Sequence, residues 1–353
     1  MSEDRAADLL DGVSRKSRIL ELGPSVSPMA PRSAGWDVTV IDHATQEELI
    51  EKYRNDPNVN VSNIEKVDYV WHGGPIHELV PADQLGSYDV LIASHVIDHL
   101  PDPIGFMTSA QKLLHPERGM VALAVPDKRW CFDYLKQVSS TGQFLAAHRM
   151  GAQRHGPATR FDHSSYIAFD NGRGGWGREH LTGLQLADTL DHAYQQFQMW
   201  TDEPSAPYVD CHAWHFTPSS FALLILEASA VGLIDWRVDW LMPRSGVEFL
   251  ARLVRGRETF ASPAVRDARR LELLKQILLD LREQTDWLVD SAAVGGPAQP
   301  VVVDRGFDAE ARQNLQQIAE TAAAIRTVLR PGQAIWQQML PLRRTVAKMR
   351  GRI

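Results

Sequence analysis

The chain of 353 residues has only two cysteines, Cys131 and Cys211, far apart and outside any C-x-x-C pair. This argues against a disulfide framework and against a cysteine-based structural zinc site, and it fits a reducing compartment. Long apolar runs are missing as well. No stretch reaches the about 18 apolar residues of a membrane-spanning helix, and Met1 to Lys16 is polar with no apolar leader-like core, so a cytoplasmic protein is expected. Nor is there an excess of base. Lys and Arg number 37 against 44 Asp and Glu, a net charge of −7. Binding of nucleic acid therefore has no general electrostatic drive, and a small or neutral partner is expected. No internal repeat is present.

What the sequence does contain is an alternation of buried strands and helices. Ile19-Leu20-Glu21-Leu22 ends at Gly23-Pro24, and Trp36 to Asp42 is a β-branched run ending in an acid. Both have the continuous apolar character of buried parallel strands. Ala44 to Tyr53 has a helical pattern, Ile64 to Val70 is expected as a third strand, Tyr88 to Ser94 as a fourth and Gly119 to Pro126 as a fifth, with a helix over Phe106 to Leu114. Thr217-Pro218-Ser219-Ser220 has the signature of a helix start, and Ile234 to Leu241 with Val247 to Val254 forms a closing antiparallel pair. The predicted fold is α/β, a doubly wound Rossmann-like sheet. Residues 1–126 and 217–258 form its core, 127–216 an inserted lid, and 259–353 a helical C-terminal extension.

In such a sheet a cofactor lies across the carboxyl ends of the strands, and an acid ending the second strand accepts ribose hydroxyls. Gly23 and Asp42 stand at those two places. A dinucleotide site usually carries G-x-G-x-x-G here, because its glycines admit the pyrophosphate. The chain instead reads Gly23-Pro24-Ser25-Val26-Ser27-Pro28, which argues against a nicotinamide-dependent oxidoreductase.

Leu20-Glu21-Leu22-Gly23-Pro24, then Val40-Ile41-Asp42, then the run from Tyr88 through Ser94-His95-Val96-Ile97-Asp98-His99-Leu100-Pro101-Asp102-Pro103, together resemble the class I S-adenosylmethionine-dependent methyltransferases. The nearest pattern is the type 11-like branch with an "ELGP" first loop and an "SxVLEHLPDP" fourth-strand motif. The resemblance spans about residues 15 to 130. It departs from the family at Pro24 and Ser27, where glycine is common, and at Asp98, where glutamate is commoner. It implies S-adenosylmethionine as cofactor, with Gly23 against the methionine part, Asp42 on the ribose, Asp68 or Tyr69 near the adenine, and Ser94-His95 beside the sulfonium. Glu21, Pro24 and His43 complete the implied cofactor-binding set. The continuation Val125-Pro126-Asp127-Lys128-Arg129 resembles that of bacterial, glycan-associated members, so O-methylation of a sugar or polysaccharide hydroxyl is expected. A natural-product acceptor and a non-catalytic cofactor-binding module are the alternatives.

Methyl transfer to a hydroxyl needs a positioned acceptor and a general base. His95 after the fourth strand, Asp127 after the fifth, and His163 in the lid are the candidate catalytic residues. The ordinary alternatives are packing against the cofactor for His95 and an ion pair with Lys128 or Arg129 for Asp127. The lid also carries His148, His155, His180, His192, His212 and His215. Asp162-His163 with Asp191-His192 raises a divalent metal that would orient a diol, but no H-x-x-x-H spacing with a third ligand accompanies it, so no metal residue is assigned. Cys211-x-x-x-His215 is read as packing.

Beyond Pro263 the pattern is helical, with Leu271, Leu274, Ile277, Leu278, Leu281 and Leu288 on one face and a second helix over about Ala309 to Leu329. The segment 331–353 is amphipathic, with Arg343, Arg344, Lys348, Arg350 and Arg352 and no acid. Packing or homodimerisation through the C-terminal helices is expected of it, ahead of contact with a membrane surface.

Overall fold

Two burial patterns, alternating along each strand, build the centre of the molecule. A computed structural model describes residues 2–288, apart from 202, 204, 205 and 207. Its strands are β1 (Arg18–Leu22), β2 (Asp37–Asp42), β3 (Tyr69–Val70), β4 (Val90–Ser94), β5 (Met120–Pro126), β6 (Ala168–Asp170), β7 (Leu184–Leu186), β8 (Trp236–Pro243) and β9 (Glu248–Arg255). Its helices are α1 (Ser2–Leu9), α2 (Gln46–Tyr53), α3 (Pro103–Leu113), α4 (Thr141–Arg149), α5 (Pro157–Tyr166), α6 (Leu190–Gln198), α7 (Pro218–Ala230) and α8 (Pro263–Asp286). Seven strands form one sheet in the order β3-β2-β1-β4-β5-β9-β8, parallel except for β9, which runs antiparallel to both its neighbours. This is the doubly wound α/β fold expected from the sequence.

Both faces of the sheet are covered. Leu20, Leu22, Leu91, Ala93, Leu123, Phe249 and Ala251 point to a core shared with α3 and α7, while Ile19, Val40, Ile92, Ala122 and Leu250 pack under Leu9 and Leu10 on the other side. That is why the strands read as continuous apolar runs. Local chemistry sets the helix starts. Thr45 and Glu48 form a reciprocal capping box at α2, and Asp102 accepts from Gly105 N–H ahead of Pro103 at α3, which starts before the expected Phe106; Thr217 caps α7 with Pro218 in its first turn, the start its sequence predicts.

Two expectations are corrected, and one segment proves more regular than its composition. The third strand is only two residues long, because Arg32 holds the preceding segment instead of the β2 ladder. Its guanidinium donates to Glu65, to the Lys66 carbonyl, to Asp68 and back to the Val38 carbonyl. The segment after Pro126 is more regular than its composition suggests, folding into α4, α5, α6 and the antiparallel pair β6-β7. On α8 the inward side carries Leu273, Asp280 and Gln284, whereas Leu271, Leu274 and Leu278 are exposed. Polar residues occupy that inner stripe because they have buried partners: Gln284 accepts from the Lys128 ammonium at 2.8 Å. The described residues belong to a compact unit spanning Met1–Gly295 that includes α8. The expectations for 309–329 and 331–353 lie outside the described residues.

A candidate active site at the carboxyl ends of the sheet

The loop after β1 is built around two buried acids. Glu21 is 1% exposed and accepts from the backbone N–H groups of Met29 and Ala30 at 2.6 and 3.2 Å. Burial pushes its carboxyl up to about 7, against the pull of those two hydrogen bonds. Glu21 thus folds the loop back on itself. Asp42, equally buried, accepts from Ser25 N–H at 2.9 Å through one oxygen, and from His43 N–H and His43 Nδ1 at 2.7 Å through the other. Gly23 has a φ of +65°, and a Cβ there would meet Val96 Cγ2 at 3.0 Å. Its N–H bonds the Ile41 carbonyl, so Gly23, Ser25, Asp42 and His43 come together at the ends of β1 and β2. Pro24 sits between Gly23 and Ser25.

Asp68 lies at the start of β3, not at its carboxyl end, and its carboxylate is taken by Val40 N–H and by Arg32. Tyr69 is half-buried, packed against the main core. Neither side chain joins the Gly23–Asp42 group through a hydrogen bond.

A second group forms where β4, β5 and β9 meet. His95 has a φ of +52°, a left-handed conformation uncommon for a non-glycine residue. Its Nε2 lies 2.8 Å from Glu248 Oε2. Arg5, from α1, bridges Ser94 Oγ at 2.6 Å and the same Glu248 oxygen at 2.8 Å. Burial pushes the Glu248 carboxyl up, but the His95 hydrogen bond and the Arg5 charge outweigh it and hold the group below its ordinary value. With Nε2–H donated to Glu248, His95 Nδ1 is the lone-pair nitrogen, and no hydrogen bond engages it among the described residues.

The other two catalytic candidates have structural partners. Asp127 is 2% exposed and accepts from Arg129 Nε at 2.9 Å and Nη2 at 2.6 Å, a buried ion pair. His163 Nδ1 accepts from His212 N–H at 3.1 Å, and burial, with Lys136 and His212 nearby, pushes its imidazole down to about 3. It braces the covering segment. Asp162-His163 and Asp191-His192 do not assemble into a ligand set: His192 pairs with Asp188.

Sequence reasoning missed Arg5 and Glu248. Nothing in the polar N-terminus marks Arg5. Glu248 was within reach, since the first residue of a strand antiparallel to β5 must lie beside the last residue of β5, and Glu248 pairs with Pro126.

Residues 3–171 match the model of a methyltransferase domain family. That segment is a methyltransferase domain. It contains Arg5, Gly23, Asp42, Ser94 and His95, while β8, β9 and Glu248 lie beyond the matched stretch. No curated protein matches the chain. Among solved structures, the methyltransferase domain and its flanks are similar to a Burkholderia thailandensis 1,6-didemethyltoxoflavin N1-methyltransferase with S-adenosylhomocysteine bound, at 12% identity, TM-score 0.35, 73% of this chain and 78% of that one. A Methanosarcina mazei methyltransferase matches at 14% identity, TM-score 0.34, over 70% and 95%. A Rhodobacter sphaeroides chain named for zinc-dependent alcohol dehydrogenases matches at 14%, TM-score 0.39, over 72% and 90%. None of these likenesses bears on the reaction.

A cleft of 660 Å³ between α7, β8 and α8, lined by Arg129, Leu226, Trp236, Leu273 and Asp280 among others, is a separate feature of the surface. None of Gly23, Asp42, Ser94 and His95 lines it.

Proposed function

We propose that the chain transfers a methyl group from S-adenosylmethionine to a hydroxyl, most specifically a sugar hydroxyl, with His95 as general base and Glu248 orienting it. The observation that carries this reading is the His95–Glu248 pair, 2.8 Å apart, at the carboxyl edge of the sheet where a cofactor would lie.

The residues fit such a cofactor. Gly23 holds a left-handed φ, and a Cβ there would crowd Val96, so the loop backbone stays bare at this point; Ser25 Oγ is a buried polar atom without a partner among the described residues. Asp42 keeps one of about four acceptor positions for a ribose hydroxyl, and rotation of the exposed His43 ring away would release a second. Bound there, S-adenosylmethionine supplies an electrophilic methyl on a sulfonium. His95 Nδ1 takes the acceptor's proton as the oxygen attacks, and Glu248 stabilises the imidazolium that results. Asp127 is engaged by Arg129 and His163 by the His212 N–H, so this reading places the base at His95. The sugar assignment draws support from the exposed aromatic rings of Tyr166, Tyr194 and Tyr208 on the covering segment, which suit stacking on pyranose faces, and from the likeness of residues 125–129 to glycan-associated methyltransferases.

Calorimetry with S-adenosylmethionine, S-adenosylhomocysteine and NAD tests the first part. Binding of NAD without either sulfur compound would sink it. Incubation with labelled S-adenosylmethionine and a panel of glycans, sugar nucleotides and non-sugar hydroxyl compounds tests the second, with label expected in the carbohydrate fraction. Label confined to non-sugar acceptors would reject the sugar assignment.

A further inference from the structure

We propose that Asp98, His99 and His212 form a binding site for one divalent first-row transition ion, a site independent of the reading of the reaction given above. The three side chains each offer one ligand atom, and these atoms lie within 4.8 Å of one another. Asp98 Oδ2 is 3.4 Å from His99 Nε2 and 3.4 Å from His212 Nε2. Two ligand atoms on a tetrahedral ion at about 2.1 Å are separated by about 3.4 Å, so the spacing suits a shared ion.

Three further features point to a ligand. Asp98 is fully buried, and both of its carboxylate oxygens lack a hydrogen-bond partner among the described residues. A buried carboxylate without a partner is costly, and an ion between the three groups would remove that cost. Both imidazoles are oriented for the task from behind: His99 Nδ1 lies 2.8 Å from Asp210 and His212 Nδ1 lies 2.7 Å from Asp133. A carboxylate on Nδ1 fixes the tautomer whose Nε2 lone pair is free to ligate, the usual arrangement behind a metal-bound histidine. Asp133 is itself held by Lys136 at 2.7 Å.

The backbone brings the set together. Ala213 N–H and Trp214 N–H both bond the Asp98 carbonyl at 2.8 and 3.2 Å, which seats His212 over the turn that carries Asp98 and His99. His163 Nδ1 supports the His212 backbone from the other side. The side chains of His99 and His212 are 27% and 11% exposed, so an ion would enter past His99. Two imidazoles and one carboxylate suit zinc, cobalt or iron(II) better than magnesium or calcium.

The test uses the full chain, stripped with a chelator and dialysed, and titrated with Zn²⁺ by competition against a chromophoric chelator. One ion per chain at micromolar or tighter affinity is expected, with Co²⁺ giving visible d–d bands of a low-coordinate site. Asp98→Asn and the more exposed His99→Asn are each expected to weaken Zn²⁺ binding by about 100-fold or more, and Asp133→Asn by roughly 10- to 100-fold as a supporting residue. Circular dichroism of each variant establishes that it is folded before it is scored. No stoichiometric Zn²⁺ or Co²⁺ binding by the wild-type chain, or binding undiminished in folded His99→Asn, would overturn the proposal.

Discussion

His95 and Glu248 are 153 residues apart in sequence and meet at 2.8 Å because β9 runs antiparallel beside β5. Glu248 occupies one imidazole nitrogen, and the other has no hydrogen bond among the described residues. If His95 is the base, His95→Ala lowers kcat by about 100-fold or more, while the dissociation constant for S-adenosylmethionine changes little. Glu248→Gln lowers kcat by a smaller factor with an unchanged cofactor affinity, because a neutral amide still accepts from Nε2–H but stabilises the imidazolium less. Steady-state kinetics beside calorimetry makes the split visible. Parallel losses in affinity and kcat for both variants would reassign the pair to cofactor packing.

Asp42 has two jobs at once, since it holds Ser25 N–H and presents the remaining acceptor position. Asp42→Ala is expected to weaken S-adenosylmethionine binding by about 1–3 kcal/mol, the worth of a charged hydrogen-bond acceptor. Calorimetry reads it directly, and an unchanged dissociation constant would remove Asp42 from the ribose.

The sheet was legible because its strands are buried on both faces and therefore apolar throughout, and because Thr217-Pro218 announces α7 chemically. The meeting of Gly23 and Asp42 was legible because one follows the first strand and the other ends the second. Where the reading stopped was at side chains whose partners are distant in sequence. Arg32 consumes Asp68 and shortens β3; Arg129 consumes Asp127; Gln284 turns a polar position of α8 inward toward Lys128. A hydropathy pattern records whether a residue is apolar, and it is silent on which cation or amide will meet a buried acid. The same limit hid the approach of His212 to Asp98, which depends on two backbone hydrogen bonds between segments more than a hundred residues apart.

Glu21 gives a pH-dependent signature of stability. Burial raises its carboxyl from 4.5 to about 7 in the folded chain, so between those values the folded state holds a proton that the unfolded state has released. Stability contributed by the neutral acid is therefore fully present below about pH 4.5 and lost as pH rises toward about 7. The full effect is about 3 kcal/mol by linkage. Urea unfolding of wild type and Glu21→Gln at several pH values checks it. The wild-type advantage should shrink across that window, and a pH-independent difference would show that Glu21 titrates normally.

Asp127 and Arg129 supply a contrast between structure and catalysis. Both are 2% exposed, and the guanidinium spans Asp127 on one side and Glu283 of α8, at 2.6 Å, on the other, so the pair ties the end of β5 to the last described helix. Removing one partner of a buried ion pair leaves an uncompensated charge and costs roughly 3–5 kcal/mol. Asp127→Asn should therefore lower the urea midpoint markedly. Arg129 keeps Glu283 in that variant, which places the cost toward the lower end of the range. Because the Asp127 carboxylate is sealed by Arg129 and does not reach the His95–Glu248 pair by any hydrogen bond, the folded fraction should keep its methyl-transfer kcat. A kcat reduced 100-fold at unchanged stability would instead return Asp127 to the list of bases.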